Sequence, residues 1–219
     1  MPTEPLQELL YHTLTKQIFS GRFQSGVIYS ETKLAAELQV SRTPLKNALT
    51  RLAHDKYIDI LPSKGFQLHI MTADDIQNTC QIRTAIEGFC SLELMHRRES
   101  PEAVSVFTSL EDILNDMERA CAEHKTPAFS ALDTRFHREI LSFPHNQELS
   151  ELMDTYNYRQ NDFAWRTLNL PGRMQQALAE HRAIFQEIRS GTMQSVYAAV
   201  QRHMDTTQTL AMQLLAQQT

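Results

Sequence analysis

Only six glycines occur in 219 residues, too few for the many tight turns of a strand-rich domain, so a mainly α chain is expected. Cysteine is scarce as well. Cys80, Cys90 and Cys121 are an odd number with no CxxC spacing, which argues against a disulfide framework and for reduced thiols in a reducing compartment. No apolar run approaches the roughly 18 residues that a membrane helix needs. No basic stretch leads into an apolar one at the N-terminus, as a secretory signal would. The expectation is a cytoplasmic protein without a membrane partner.

A strong excess of one charge is also missing. The formal net charge is −5, but it is unevenly spread: residues 1–70 carry eight Lys and Arg against six Asp and Glu, and the remainder thirteen against twenty. A mildly basic front on an acidic body suggests two modules with different partners. Hydrophobic content of 42% and charged content of 21% suit a globular chain that buries a real core.

Periodicity supplies the elements. Leu6, Leu9, Leu10, Leu14 and Ile18 recur at helical spacing before Gly21, and ETKLAAEL (31–38) predicts a short second helix. Ser41 is placed to cap a third, RTPLKNALTRLAHD, with Pro44 in its first turn, where a missing N–H costs little. YIDIL (57–61) and FQLHI (66–70), separated by PSKG, predict a β-hairpin. Three helices and a hairpin describe a winged helix-turn-helix over residues 1–71. From Thr72 onward the pattern is helical throughout, with TADD as an N-terminal cap signal. Breaks at Ser100-Pro101, Thr126-Pro127, Pro144, Pro171-Gly172 and Gly191 predict a six-helix bundle over 72–219.

The stretches SETKLAAEL, VSRTPLKNALTRL and LPSKGFQL resemble the winged helix-turn-helix of the GntR superfamily of bacterial transcription regulators. The all-helical remainder with its DTRFH motif is similar to the FCD effector domain of the FadR-type branch. The resemblance implies a homodimeric regulator, a repressor in our reading, that reads a palindromic operator in double-stranded DNA. A recognition helix presents its first turn to base edges in the major groove. Ser41, Arg42 and Thr43 occupy that turn, with Lys46 one turn on. Lys64 and Gly65 match the family's wing. Thr32 and Lys46 stand where many relatives carry arginine, and Lys46 lacks the guanidinium fork. Arg51 and Lys33 are expected as phosphate partners or surface charges.

In DTRFH (133–137), Asp133 and His137 lie four apart, so on a helix both reach a single cation. A carboxylate with an imidazole suits zinc, nickel, manganese or iron. Six histidines follow residue 71: His96, His124, His137, His145, His181 and His203. A lone histidine on an apolar face is usually a core residue. The family resemblance selects His181 and His203, which match the histidines of two later helices in metal-binding FCD domains, and gives a divalent transition metal, zinc first, held by Asp133, His137, His181 and His203. Ile184, Phe185 and Ile188 near His181, Ala199, Val200 and Leu210 near His203, and Phe136 and Ile140 near His137 predict inward orientation. His96, His124 and His145 fall near helix ends, where capping or exposure accounts for them.

Open positions on such an ion suit the carboxylate of a small organic-acid effector. Arg83 matches the arginine of the family's R…E pattern and is a candidate partner for a second effector carboxylate, or else for Glu87 one turn on. Asn146 and Arg159 are further pocket candidates. A hydrolase-like enzyme using the same metal is the rival reading, although no HExxH-type general base accompanies these histidines. A regulator whose metal is purely structural, or absent, is the third.

Overall fold

The structure, a computed structural model that describes residues 5–217 (backbone only at 157, 158, 161 and 162), divides between Met71 and Thr72 into two compact units. The first contains α1 (Leu6–Phe19), α2 (Glu31–Glu37), α3 (Arg42–His54), β1 (Ile58–Leu61) and β2 (Gly65–Leu68). α1 packs on α3 by burying Leu10, Leu14 and Ile18 with Leu45, Ala48, Leu49 and Leu52. The inward stripe of α1 differs from the expected one: Leu6 and Leu9 are about half exposed, at 46% and 52%, and Tyr11 is buried instead. Tyr11 earns that position because its hydroxyl donates to Asp55 Oδ2 at 2.6 Å, satisfying a polar tip that burial would otherwise leave unpaired.

The hairpin pairs Ile58 with Leu68 and Leu61 with Gly65. A third segment joins it. Tyr29 N–H donates to the Phe66 carbonyl at 2.7 Å, and Phe66 N–H returns the bond to the Tyr29 carbonyl at 3.0 Å. Phe23, Tyr29 and Phe66 then pack as an aromatic cluster with ring centroids 4.9 to 5.7 Å apart.

The second unit comprises α4 (Ala73–His96), α5 (Pro101–Ala122), α6 (Thr126–Ser142), α7 (Gln147–Leu168), α8 (Arg173–Ser190) and α9 (Met193–Ala216). Local sequence sets their starts. Thr72 and Asp75 form a capping box at α4, Ser100 caps α5 with proline in its first turn, and Thr192 with Ser195 form a second box at α9. These side chains answer backbone N–H groups that a helix start leaves unpaired. The longest packing seams run between α4 and α9 and between α5 and α6. Leu94, Leu110, Ile113, Met117, Phe129, Phe136, Ile188 and Val196 lie in the continuous core.

α4 breaks the usual rule that the inward surface of a helix is apolar. Asp75, Thr79, Arg83, Glu87 and Ser91, at four-residue intervals, are all buried. They form a polar ridge winding along the helix within the bundle. Thr79 Oγ, Ser91 Oγ and Arg83 Nη2 have no hydrogen-bond partner among the described residues. Such groups normally cost stability unless water or a ligand meets them.

Gly65 supplies a test of the wing. Its φ is +124°, and a Cβ there would lie 2.0 Å from the Tyr29 carbonyl oxygen. Gly65→Ala is expected to destabilise the first unit by more than about 1 kcal/mol, read as a lowered denaturation midpoint. An unchanged midpoint would contradict the Tyr29–Phe66 packing described here.

Candidate DNA-reading surface and metal centre

On α3 the two faces divide cleanly. Leu45, Ala48, Leu49 and Leu52 are buried, while Ser41, Arg42, Thr43 and Lys46 are exposed. The Ser41 side chain makes no capping bond, leaving its hydroxyl available. Thr32 and Lys33 are exposed in the first turn of α2, and Lys64 is exposed between β1 and β2. Two positions have other work. Gly65 is required by the close approach of Tyr29, a demand internal to the wing. Arg51 ion-pairs with Glu8 and lies over the Tyr11 ring at 4.0 Å, so it joins α1 to α3 and is not a free phosphate partner.

In the second unit, His137 of α6, His181 of α8 and His203 of α9 are all buried, and their ligand atoms lie within 4.8 Å of one another. His181 Nε2 is 3.1 Å from His137 Nε2 and 3.3 Å from Asp133 Oδ1. The His203 ring centroid lies 4.7 Å from that of His181 and 5.2 Å from that of His137. Phe136 packs against His181 at 4.7 Å between centroids. His96, His124 and His145 are exposed at helix ends, with His124 and His145 at positive φ.

The donor set fits a divalent transition ion. Zinc–nitrogen bonds of about 2.0–2.1 Å place neighbouring donors roughly 3 Å apart. Burial drives the imidazoles of His181 and His203 well below their ordinary pKa, and neighbouring histidines and Arg173 add to the effect. That shift favours the neutral ring, the form that donates a lone pair to a metal. Burial pushes the Asp133 carboxyl up against the opposing pull of His137, Arg83 and Arg173. Arg83 pairs with Glu87 at 2.7 Å and Arg173 with Glu180 at 2.9 Å, so both guanidinium groups already have a carboxylate partner while Asp133 is buried against imidazoles. A bound cation would answer that carboxyl.

Two carboxylates escaped the sequence reading in this role. Glu87 Oε2 lies 2.7 Å from His137 Nδ1, and Glu180 Oε2 lies 2.7 Å from His203 Nδ1. Burial alone would raise the Glu87 carboxyl, yet Arg83 and His137 hold it well below the usual carboxylate range. On Glu180 the balance falls the other way, with burial outweighing Arg173. One available signal was the position of Arg173 and Glu180, two turns apart among the apolar residues Ala177, Leu178 and Ile184 of α8.

The effector candidates separate. Arg83 is buried, with Nε bonded to Glu87 and Nη2 unpartnered, so the salt bridge forms without exhausting its donors. Arg159 is buried on α7, 3.8 Å from Asp75 and 4.2 Å above the Tyr156 ring, and its Nε is unpartnered. Asn146 is exposed and caps α7, its Oδ1 accepting from Leu149 N–H at 3.2 Å. A cavity of about 300 Å³ between α6 and α7 reaches His137, with Thr134, Arg138, Leu141, Met153 and Gln160 in its lining.

A winged helix with an exposed polar turn, joined in one chain to a helical bundle with a buried polar centre, has the architecture of a DNA-binding transcription regulator. Residues 6–68 match the gntR family of bacterial regulatory proteins, and residues 78–206 match the FCD domain. The chain belongs to the GntR family, in its FadR subfamily with a C-terminal FCD domain. It is 30% identical over 200 residues to the HTH-type transcriptional regulator YdhC of Bacillus subtilis (strain 168), covering 89% of this chain and 86% of that one. Identity to the HTH-type transcriptional repressor RspR of Escherichia coli (strain K12) is 23% over 203 residues, covering 93% and 87%. The E. coli McbR/YncC structure superposes with a TM-score of 0.74 at 15% identity, covering 97% of this chain and all of that chain. Its relatives are transcriptional regulators, and this chain is a regulator and not an enzyme. Among the described residues, no helix is long and apolar enough to cross a membrane.

Arg83→Met removes the guanidinium and leaves Glu87 buried beside His137 alone. Loss of one partner of a buried ion pair costs about 3–5 kcal/mol, which urea unfolding of the variant should show. A loss below about 1 kcal/mol would mean that Glu87 does not depend on Arg83 for its charge.

Proposed function

We propose that this regulator is a cytoplasmic homodimeric repressor whose grip on a palindromic operator is set by a small organic acid bound at a divalent metal centre. The observation that carries the reading is the buried convergence of His137, His181 and His203, with the Asp133 carboxyl beside them. These four residues would hold the ion, with zinc as the first expectation. When bound, the ion supplies positive charge and open positions for a carboxylate. The cavity reaching His137 favours a sensing centre over a purely structural one, since a structural site is closed by its protein ligands. Arg83 Nη2 and Arg159 Nε, both buried and unpartnered, suit a second anionic group on the same effector.

Repression follows from linkage. An effector changes operator affinity only if it favours one arrangement of the two DNA-reading modules over the other. Ser41, Arg42, Thr43 and Lys46 would enter the major groove, with Arg42 placed for bidentate reading of a guanine. Thr32 and Lys64 would contact the flanking backbone, and the wing that Gly65 shapes would follow it. RspR, a repressor by name, supports the direction of control.

Two experiments test the reading. Arg42→Ala should abolish preference for operator over random DNA in a gel shift while leaving the circular dichroism spectrum unchanged; retained preference would remove Arg42 from base reading. Asp133→Ala should abolish the response of operator binding to a panel of small hydroxy- and dicarboxylic acids, with basal operator binding kept. A variant that responds like the parent chain would disconnect the centre from control.

A further inference from the structure

Two buried chains of polar groups lead away from the histidines, and they repeat one order: arginine, glutamate, imidazole. On the first, Arg83 Nε donates to Glu87 Oε1 at 2.7 Å, and Glu87 Oε2 meets His137 Nδ1 at 2.7 Å. On the second, Arg173 Nη1 donates to Glu180 Oε2 at 2.9 Å, and the same oxygen meets His203 Nδ1 at 2.7 Å. Thr207 closes the second chain. Its hydroxyl accepts from Arg173 Nη2 at 3.2 Å and donates to the His203 carbonyl at 2.9 Å. All seven residues are buried or nearly so, with Glu180 the most accessible at 15% of its side chain.

We propose that Glu87 and Glu180 are positioning residues of the metal centre, fixing His137 and His203 so that each presents Nε2 to the ion. The inference rests on the metal reading given above. A carboxylate only accepts hydrogen bonds, so each imidazole turns an Nδ1–H toward its glutamate, and in the neutral ring that leaves the lone pair on Nε2. The arginines keep the carboxylates aimed, and Thr207 ties the second chain to the backbone of the ligand it serves. His181 has no such support. Its Nδ1 is buried with no partner among the described residues, and its Nε2 faces Asp133 and His137. The centre therefore has two preset imidazoles and a third oriented only by packing against Phe136 and its fellow histidines. Partners of this kind govern ligand direction and basicity, and losing one costs about 10–100-fold in metal affinity.

The test uses the full-length, tag-free chain and zinc alone. Competition against a chromophoric chelator gives the affinity of the parent protein, of Glu180→Gln, of Glu87→Gln and of a His203→Ala control. Circular dichroism confirms the folded fraction, and visible absorption of the cobalt(II)-loaded protein reports the donor set. Glu180→Gln and Glu87→Gln are expected to bind zinc about 10–100-fold more weakly per folded molecule, with cobalt spectra of the parent type, because every ligand remains. Zinc affinity unchanged in both glutamine variants, while the parent binds and His203→Ala does not, would overturn the positioning role alone. A parent protein that binds neither ion would overturn the metal reading and this inference with it. Thr207→Val covers the case in which Glu180→Gln fails to fold: a fall in zinc affinity supports the second chain, and parent-level affinity contradicts it.

Discussion

The bundle is organised around a buried carboxyl group and the imidazoles that surround it. A carboxylate taken out of water must be paired, protonated or met by a metal, because its desolvation cost is too large to leave unanswered. Asp133 is buried with three imidazoles, and the nearby arginines are already bonded to Glu87 and Glu180. α6, α8 and α9 each contribute a buried histidine, α4 turns a polar ridge inward, and Phe136 packs against His181. Burial also strengthens each polar contact there.

The two units solve different physical problems. The winged helix is small, and α3 spends one face on the core and leaves the other free, with Arg51 and Tyr11 stitching it to α1. The helical unit has volume enough to bury a polar centre and still keep a continuous core. A ligand that changes the charge at that centre acts on residues drawn from α4, α6, α8 and α9 together. This is the kind of multi-helix site whose occupancy can shift a conformational equilibrium, provided the ligand distinguishes the states.

Much of the fold was legible because its signals are local. Apolar spacing, the Thr72 cap signal, Ser100-Pro101 and the other proline and glycine breaks mark helix starts and ends from residues close in sequence. The hairpin was legible from two β-prone runs around PSKG. The failures came where a distant residue decides. Nothing near Leu6 and Leu9 says that Tyr11, through Asp55, would claim the inward position on α1. Of the site, Asp133 and His137 could be paired by spacing, whereas His181 and His203 were selected only through family resemblance. Glu180 sits beside His181 in sequence yet meets His203 of the next helix, so only its spacing from Arg173 hinted at it.

The central claim is that His137, His181 and His203, with Asp133, hold a divalent metal. Anomalous diffraction from crystals of tag-free protein grown with zinc, measured on both sides of the zinc absorption edge, tests it most directly. The account predicts a single strong zinc-specific peak bounded by the three imidazoles and the Asp133 carboxylate. Density without that peak, in which His181 Nε2 and His137 Nε2 remain in direct contact at the 3.1 Å seen here, would contradict it.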